Sequence, residues 1–363
     1  MKLAVIESYP YALPLARPLP GAPAEQLERA GILIRLRSEA GAEGWGDVAP
    51  LPSFSRETLA AACAQLFSLR PALVDTLPVF KRQTSWQSAL LHPLSAWDLF
   101  PSVRFGLESA VCNLAAAEWG TPWRLHLAKS ALAKVQLNAL LTGAREDILR
   151  GVRSYVERGY SSLKIKVGHH PVSDKIATVR QVSSLLPPGV TLRLDANRAW
   201  SLAVALEFAH GVRNCPIDYI EEPLREVAEM QAFIRGSALP AALDESLDLL
   251  GAGALPQGLR AIVIKPTLRG GFSGALRWAK TARQSGVAPV ISSAFESAIG
   301  LRALAELASV IHDPGVAAGL DTGRWLARDV AEPAFDVIAG AVNVATLSAH
   351  PVKLTIDMSG GTE

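Results

Sequence analysis

The sequence predicts an α/β chain, a (β/α)8-type barrel carrying an α+β capping domain. Three observations predict it. From residue 134 onward, short apolar runs of strand length alternate with helical segments. Several of those runs end in a carboxylate or a lysine, at intervals of about one strand–loop–helix–loop unit. At 363 residues the chain exceeds the usual size of a single core, so a large barrel with a smaller companion domain is the natural division.

The first hundred residues differ from the rest. Segments 2–9 and 31–38 (GILIRLRS) alternate or run apolar as strands do. Between them the Pro- and Gly-containing stretch 14–24 reads as a mobile loop. The segment 44–58, GWGDVAPLPSFSRET, reads as a turn-rich link into a helix beginning near Ser55, with Glu57 and Thr58 in its cap region. Helix continues through 56–69, and 75–94 reads as a second, irregular helix. Residues 1–100 are therefore the capping domain.

After Pro101 the rhythm changes. PSVRFGLESAVCNLAAAEWG is rich in alanine and small residues and reads as a buried helix. The expected barrel strands are 134–141, 161–167, 191–195, 217–221, 240–244, 260–265, 287–292 and 315–320. Helices are expected at 145–158, 173–186, 201–213, 225–237, 273–285 and 298–311. Eight strands with helices between them fit a closed barrel better than an open doubly wound sheet. No Gly-rich phosphate fingerprint follows the first strand, which weakens a dinucleotide-binding reading. The barrel domain is assigned to 101–329. A last strand-like piece, PVKLTIDM at 351–358, is expected to return with 330–363 to the capping domain.

Composition narrows the function classes. Hydrophobic residues make up 49% and charged ones 19%, which suits a well-buried globular enzyme. The net charge is +2 with Lys and Arg scattered, so no basic footprint for nucleic acid is present. No apolar run is long enough for a membrane span, and the N-terminus is broken early by Tyr, Pro and Glu7. Cys63, Cys112 and Cys215 are far apart and odd in number, and read as reduced, buried thiols of a cytoplasmic protein.

The chemistry lies in the strand ends. Asp195 ends TLRLD, Glu221 ends DYIE and Asp244 ends AALD. Lys164 and Lys166 lie in SSLKIKVG, and Lys265 ends RAIVIK. The intervals are 195−164 = 31, 221−195 = 26, 244−221 = 23 and 265−244 = 21 residues. In a barrel the active site sits at the carboxyl ends of the strands, so these charges converge. Three carboxylates on neighbouring strands repel one another unless a cation lies between them. Hard oxygen donors without Cys or clustered His favour Mg²⁺, with Mn²⁺ able to substitute. Each carboxylate taken singly reads as a helix cap or a surface charge; three in consecutive units read as a metal site.

Lys164 and Lys166 are two apart and face the same side of their strand. Alone they would read as a surface pair. Lys265 ends an apolar run where a solvated lysine is not expected, and its strand lies across an eight-stranded barrel from theirs. Two amine faces therefore approach a central ligand from opposite walls. A small-molecule carboxylate with an acidic α-carbon fits this arrangement. The metal holds the carboxylate, and a neutral lysine takes the proton. A lysine titrates ordinarily near 10.4, and nearby positive charge brings such a group toward usable values.

KIKVG, RLDANRAW, IEEP, LDES and VIKPTLRGG, in this order, resemble the muconate-lactonizing branch of the enolase superfamily, whose general pattern is a Lys or His base with Mg²⁺ stabilising an ene-diolate. GWGDVAPLPSFSRET, PSVRFGLESAV, ISSAFESAIGL and GLDTG extend the resemblance over about residues 44–323. Within the branch the chain is most similar to the o-succinylbenzoate synthase family of menaquinone biosynthesis. The capping segment taken with RLDANRAW carries that finer likeness.

The resemblance implies the enolase-superfamily architecture and a cytoplasmic lyase. That family dehydrates 2-succinyl-6-hydroxy-2,4-cyclohexadiene-1-carboxylate to o-succinylbenzoate. By motif, Lys166 removes the α-proton and returns it to the departing hydroxyl. Lys164 supports Lys166, and Lys265 stabilises the enediolate from the opposite face, partly as a cation–π contact. Asp195, Glu221 and Asp244 bind Mg²⁺, and Glu222 is an outer or structural residue.

Weaker candidates remain. Asn197 orients the site or serves a turn. Arg193 tunes Lys166 or makes a structural ion pair. Ser292, Ser293, Asp321 and Thr322 line a succinyl pocket or cap helices. The 14–24 loop with Ser53 and Phe54 is a candidate lid, and His169 and His170 read as solvated loop residues. The competing functions are an N-acylamino acid racemase or dipeptide epimerase, a cycloisomerase, and a non-catalytic binding barrel. The last is disfavoured because all three lysines and all three carboxylates are present.

Overall fold

The computed structural model describes residues 2–20, 26–76, 94–168, 171–250, 255–333, 335–349 and 353–355. The expected 75–94 helix falls almost wholly outside them, as do His169, His170 and residues 356–358. Among the described residues no helix is long and apolar enough to cross a membrane.

The cap is built on an antiparallel sheet in the order β1 (Leu3–Pro14), β2 (Glu28–Ser38), β3 (Glu43–Val48). The Leu59–Thr76 helix packs on β1, and the Pro101–Trp119 helix lies against β3. GWG explains how close that helix comes. A Cβ at Gly44 would meet the Leu114 amide nitrogen at 2.2 Å, and one at Gly46 would meet the Gly106 carbonyl oxygen at 1.9 Å. Only glycine lets the helix rest on the strand's backbone. The helix expected near Ser55 starts at Leu59 instead. Thr58 Oγ1 accepts from the Ala61 amide, whereas Ser55 Oγ accepts from Leu51 and holds the preceding turn.

The Pro101–Trp119 helix also packs against the barrel helix Gly271–Gln284, with Phe105 and Phe272 in edge contact at 5.7 Å. A cut at 100/101 thus falls at an element that touches both parts. Of the three cysteines only Cys112 is buried. Cys63 lies on the exposed face of the first helix, which corrects the expectation of three buried thiols.

The barrel strands are β5 (Asn138–Leu141), β6 (Ser162–Lys166), β7 (Thr191–Asp195), β8 (Ile217–Glu221), β9 (Ala241–Leu243), β10 (Ala261–Ile264) and β11 (Ala288–Ile291), parallel and in sequential order. The expected single strand 134–141 is two. β4 (Lys134–Gln136) pairs antiparallel with Ala341–Asn343, and the barrel strand begins after Leu137.

Closure is made by a very short eighth piece. Ala318 donates to Gln136 (2.7 Å) and accepts from Asn138 (2.9 Å). Gly319 donates to Ile291 (2.9 Å) and accepts from Ser293 (3.0 Å). This segment pairs with both edges of the seven-stranded sheet, as a closed barrel requires. One hydrophobic cluster runs from the cap residues Ile32, Ile34 and Val48 through Phe105 to the barrel residues Ile165, Leu194 and Ile264. Near the C-terminus Lys353–Leu354 pairs with Ala331–Glu332, and Leu354 packs on the cluster that holds Tyr9 and Leu33 of the cap sheet.

Candidate active site

Strand register assembles the charges. Lys166 is the register partner of Asp195, and Asp195 that of Glu221. Parallel partners on one face of a sheet stand side by side, so these three form a row at the carboxyl ends. Glu221 pairs with Ala242, and Asp244 lies two residues further on the same face of the next strand. Lys164 sits two residues before Lys166 and reaches up from below. β10 is four strands from β6 in the closed barrel, which places Lys265 across the lumen.

Lys164 Nζ donates to Glu221 Oε1 (2.8 Å) and Oε2 (2.7 Å) and stands 2.9 Å from Asp195 Oδ2. Lys166 Nζ donates to Asn197 Oδ1 (2.7 Å) and Asp195 Oδ2 (3.1 Å). Lys265 Nζ donates to Asp244 Oδ2, and the Arg269 guanidinium lies 3.5 Å from Asp244 Oδ1. The three carboxylates are fully buried. The lysines are not, and Lys166, at 25% side-chain exposure against 13% for Lys164 and 16% for Lys265, is the most open.

Burial and like charge compete with the amines. Burial would raise the Asp195 carboxyl, yet Lys164 and Lys166 hold it below its ordinary range. Burial and the Asp195 carboxylate push Glu221 up despite Lys164. For Asp244, Lys265 and Arg269 outweigh burial and lower it. Burial lowers Lys164, but Asp195 and Glu221 more than reverse that and keep its proton on. The Asp244 carboxylate does the same for Lys265.

The chain turns sharply after these strands. Asn197 (φ 46°), Arg198 (φ 59°) and Glu222 (φ 46°) take the left-handed conformation that non-glycine residues rarely adopt. Successive residues of a strand face opposite sides, so the two glutamates of IEEP point opposite ways. Glu221 faces the lumen. Glu222 accepts from the Asp244 amide (2.6 Å), the Ser246 amide (2.8 Å) and the Ser246 hydroxyl (2.6 Å), and so fixes the backbone that presents Asp244. Asn197 accepts from Lys166 and donates through Nδ2 to Glu245 Oε1 (3.0 Å), so it holds the amine rather than a turn alone.

The weaker candidates divide. Ser292, Ser293, Asp321 and Thr322 all line a cavity of about 70 Å³ together with Lys164, Lys166, Asp195, Asn197 and Lys265. Ser293 and Thr322 share a hydrogen bond of 2.7 Å. Arg193 is not among the lining residues. It is tied below the site by Asp218 (3.0 Å), Asn138 (3.1 Å) and the Ala317 carbonyl (2.7 Å), and lies over the Tyr219 ring. The structural ion pair, not the tuning of Lys166, is what its geometry supports.

Sequence reasoning missed Asn138, Phe295, Glu245 and Arg269. For Arg269 a signal was there, four residues after Lys265 in the turn VIKPTLR. From the cap, Pro20, Leu51 and Phe54 reach the cavity. A neighbouring space of about 480 Å³ shares Pro20, Phe54, Lys166 and Asn197 with it. A groove of about 650 Å³ by Trp45, Trp123 and Glu306 is larger, but it lies away from the strand ends and holds no such array.

The donor set fits a hard divalent cation: three buried carboxylates from adjacent strand ends, with no sulfur or imidazole among them. Among the described residues no three such side chains converge on one point as they stand. The Lys164 ammonium holds the place between Asp195 and Glu221.

Comparison with known proteins gives the family of the chain. Residues 147–349 match the family described as Enolase C-terminal domain-like, and residues 3–114 match the MenC N-terminal domain. The o-succinylbenzoate synthase of Edwardsiella ictaluri is 34% identical over 303 residues, 81% of this chain and 82% of that protein. The Citrobacter koseri synthase is 34% identical over 301 residues, 81% and 83% of the two chains. Protein PHYLLO, chloroplastic, of Arabidopsis thaliana is 33% identical over 92% of this chain, which spans only 22% of that longer protein.

Among solved structures, the L-Ala-D/L-Glu epimerase from Bacillus subtilis superposes with a TM-score of 0.81 at 22% identity over 100% of both chains. A muconate lactonizing enzyme from Pseudomonas fluorescens does so with a TM-score of 0.81 at 22% identity over 94% of both. These likenesses speak to the fold. With both family models and the synthases matching along its length, the chain belongs to the o-succinylbenzoate synthase family of the enolase superfamily.

Proposed function

We propose that the protein is a lyase that dehydrates 2-succinyl-6-hydroxy-2,4-cyclohexadiene-1-carboxylate to o-succinylbenzoate in menaquinone biosynthesis, with Mg²⁺ or Mn²⁺ as cofactor. The observation that carries the reading is the array at the strand ends: Lys164 and Lys166 on one wall, Lys265 on the other, and Asp195, Glu221 and Asp244 buried between them. Similarity to the curated synthases supports this substrate over others that the same array can serve.

Lys166, as the free amine, takes the proton α to the ring carboxylate. The C–H electron pair moves into that carboxylate as an enediolate. The Lys166 ammonium then gives the proton to the hydroxyl on the neighbouring carbon, the C–O bond breaks, and water leaves as the ring becomes aromatic. One substrate gives one product and one water. Lys166 suits this part because it is the most open of the three amines and Asn197 holds its position.

Lys265 faces the developing charge from across the lumen. Lys164 keeps its proton and holds Asp195 and Glu221 together. Asp195, Glu221 and Asp244 are the residues that would hold the cation, which when bound supplies positive charge against the substrate carboxylate as its second negative charge develops.

A second reading, racemisation of an N-acylamino acid or dipeptide, is favoured by the placement of Lys166 and Lys265 on opposite walls, one amine for each face of a planar intermediate. The test is purified protein with Mg²⁺ and the cyclohexadiene, followed by loss of its absorbance. Turnover that stops with EDTA and returns with Mg²⁺ is the expected result. No turnover, beside fast racemisation of an N-acylamino acid, would overturn the dehydratase reading.

A further inference from the structure

Arg29 lies on β2 of the cap sheet and is 1% exposed. Its guanidinium donates to five carbonyl oxygens. Nη1 donates to Ala30 (2.9 Å) and Pro50 (2.9 Å), Nη2 to Ala49 (2.5 Å) and Ala294 (3.2 Å), and Nε to Phe295 (3.0 Å). Among the described residues no carboxylate accepts a hydrogen bond from it. Asp47 and Glu296 are near enough to feel its charge, but each is committed elsewhere. Asp47 accepts from Ser297 and Tyr11, and Glu296 accepts from Thr267 and the Ala294 amide.

A buried cation whose acceptors are all backbone carbonyls serves geometry rather than charge neutralisation. The planar fork of five N–H groups donates to five carbonyls at once, which no other side chain can do. The carbonyls belong to two pocket walls as well as to the strand itself. Ala49 and Pro50 open the cap loop that carries Leu51 and Phe54 into the cavity. Ala294 and Phe295 belong to the loop after β11, which carries Ser293 and Phe295.

Phe295 is left-handed at φ 60°, a conformation that a non-glycine residue keeps only when its surroundings hold it. Arg29 holds its carbonyl, and the Phe295 ring meets Trp325 edge-on at 5.5 Å. A small cluster of Leu19, Leu51, Ala294 and Trp325 fills the space between cap and barrel at this point. Arg29 is not among the residues lining the cavity.

We propose that Arg29 is a positioning residue that locks the cap loop 49–54 to the barrel loop 293–297 and so sets the shape of the substrate pocket. This rests on the reading of that cavity as the substrate site. The lysines and carboxylates stand on strands that Arg29 does not touch, so its loss weakens substrate binding more than chemistry.

The test uses the full chain with Mg²⁺. In Arg29→Ala, KM is expected to rise about tenfold while kcat changes less than about threefold. Amide exchange in 51–55 and 294–297 should speed at least about tenfold, with β6, β7 and β8 unchanged. Guanidinium ion added at millimolar concentration should bring KM back toward the wild-type value. Arg29→Lys, which keeps the charge and stem but has at most three donors, shows the same split if the alanine variant fails to fold.

An unchanged KM beside a lowered melting temperature, or faster exchange spread evenly through the chain, would overturn the proposal. If the wild-type chain does not turn over the cyclohexadiene, the functional reading falls, and the local exchange still decides the clamp.

Discussion

Lys166 is held from two sides, by a carboxylate that shares its charge and by an amide that does not. Asp195 also serves Lys164, whereas Asn197 Oδ1, at 2.7 Å, is the nearer of the two acceptors of Lys166. Removal of Lys166 by Lys166→Ala should lower kcat about 10²- to 10⁴-fold, the usual worth of a positioned acid–base group, with the circular dichroism spectrum unchanged. Asn197 sits at φ 46°, so its side chain and its backbone strain must be separated. Asn197→Gly relieves the strain and loses the amide, and Asn197→Ala loses the amide and adds strain, since alanine tolerates the left-handed region less well than asparagine. Both should cut kcat about tenfold if orientation of Lys166 is the function, since a small misplacement of a reacting group is costly. A glycine variant with full activity would assign Asn197 to the turn instead.

At the scale of elements, buried carboxylates join helix starts to their surroundings. Asp47 of β3 accepts from the Ser297 amide (3.0 Å) and hydroxyl (2.7 Å), at the head of the Ala298–Ile311 helix. Glu57 does the same for Ser102 at the head of Pro101–Trp119. Glu108, in turn, accepts from the Ser273 amide (3.0 Å) and hydroxyl (2.6 Å) at the head of Gly271–Gln284. These bonds satisfy amides that a helix start leaves without partners, and the helix dipole favours the negative charge. Asp47 joins the cap sheet to the barrel directly, and Glu57 and Glu108 join the cap and the barrel in turn to the Pro101–Trp119 helix.

Burial nevertheless raises the Glu108 carboxyl to about 7, with the Ser273 bonds opposing it. A folded value above the ordinary 4.5 means that the folded state binds this proton more tightly than the unfolded chain. Its stabilising contribution is whole below about pH 4.5 and is lost as pH rises through about 7, a swing on the order of 3 kcal/mol. Glu108→Gln should therefore gain on the wild type in urea midpoint between pH 5 and pH 8. His312, lowered to about 3 by burial, acts in the opposite sense in both proteins and cancels in the comparison. A difference between the two midpoints that stays constant with pH would show that Glu108 does not titrate in this window.

Over the whole molecule, cap and barrel share a core. The main hydrophobic cluster holds Ile34 and Val48 of the cap with Phe105, Leu194 and Ile264, and no apolar gap separates the two parts. The two should unfold together. Urea denaturation followed by far-ultraviolet circular dichroism and by loss of activity is expected to give one coincident transition. Two separated transitions would mean that the Leu59–Thr76 and Pro101–Trp119 helices give the cap a core of its own.

Much of this architecture was legible in the chain. Apolar runs located β5 to β11, because each is buried and bounded by turn residues. The charged ends of TLRLD, DYIE and AALD stood out because they recur in three consecutive units, where one alone would read as a helix cap. Boundaries were less legible. Leu137 reads as the middle of one strand, and only the pairing of β4 with Ala341–Asn343 divides it. The closing strand was expected over 315–320, and its pairing is confined to Ala318 and Gly319.

The sequence by itself determined the kind of barrel, the three carboxylates, the three lysines and the family, since each depends on a residue type at the end of a local element. Tertiary structure decided their partners. Lys164 bridges Asp195 and Glu221, Glu222 turns away to hold Ser246, Arg193 is spent on Asp218, and Arg29 ties two loops more than 240 residues apart in sequence. Those outcomes depend on strand register and on the closing of a barrel. Both are set by contacts between distant segments, which no local pattern encodes.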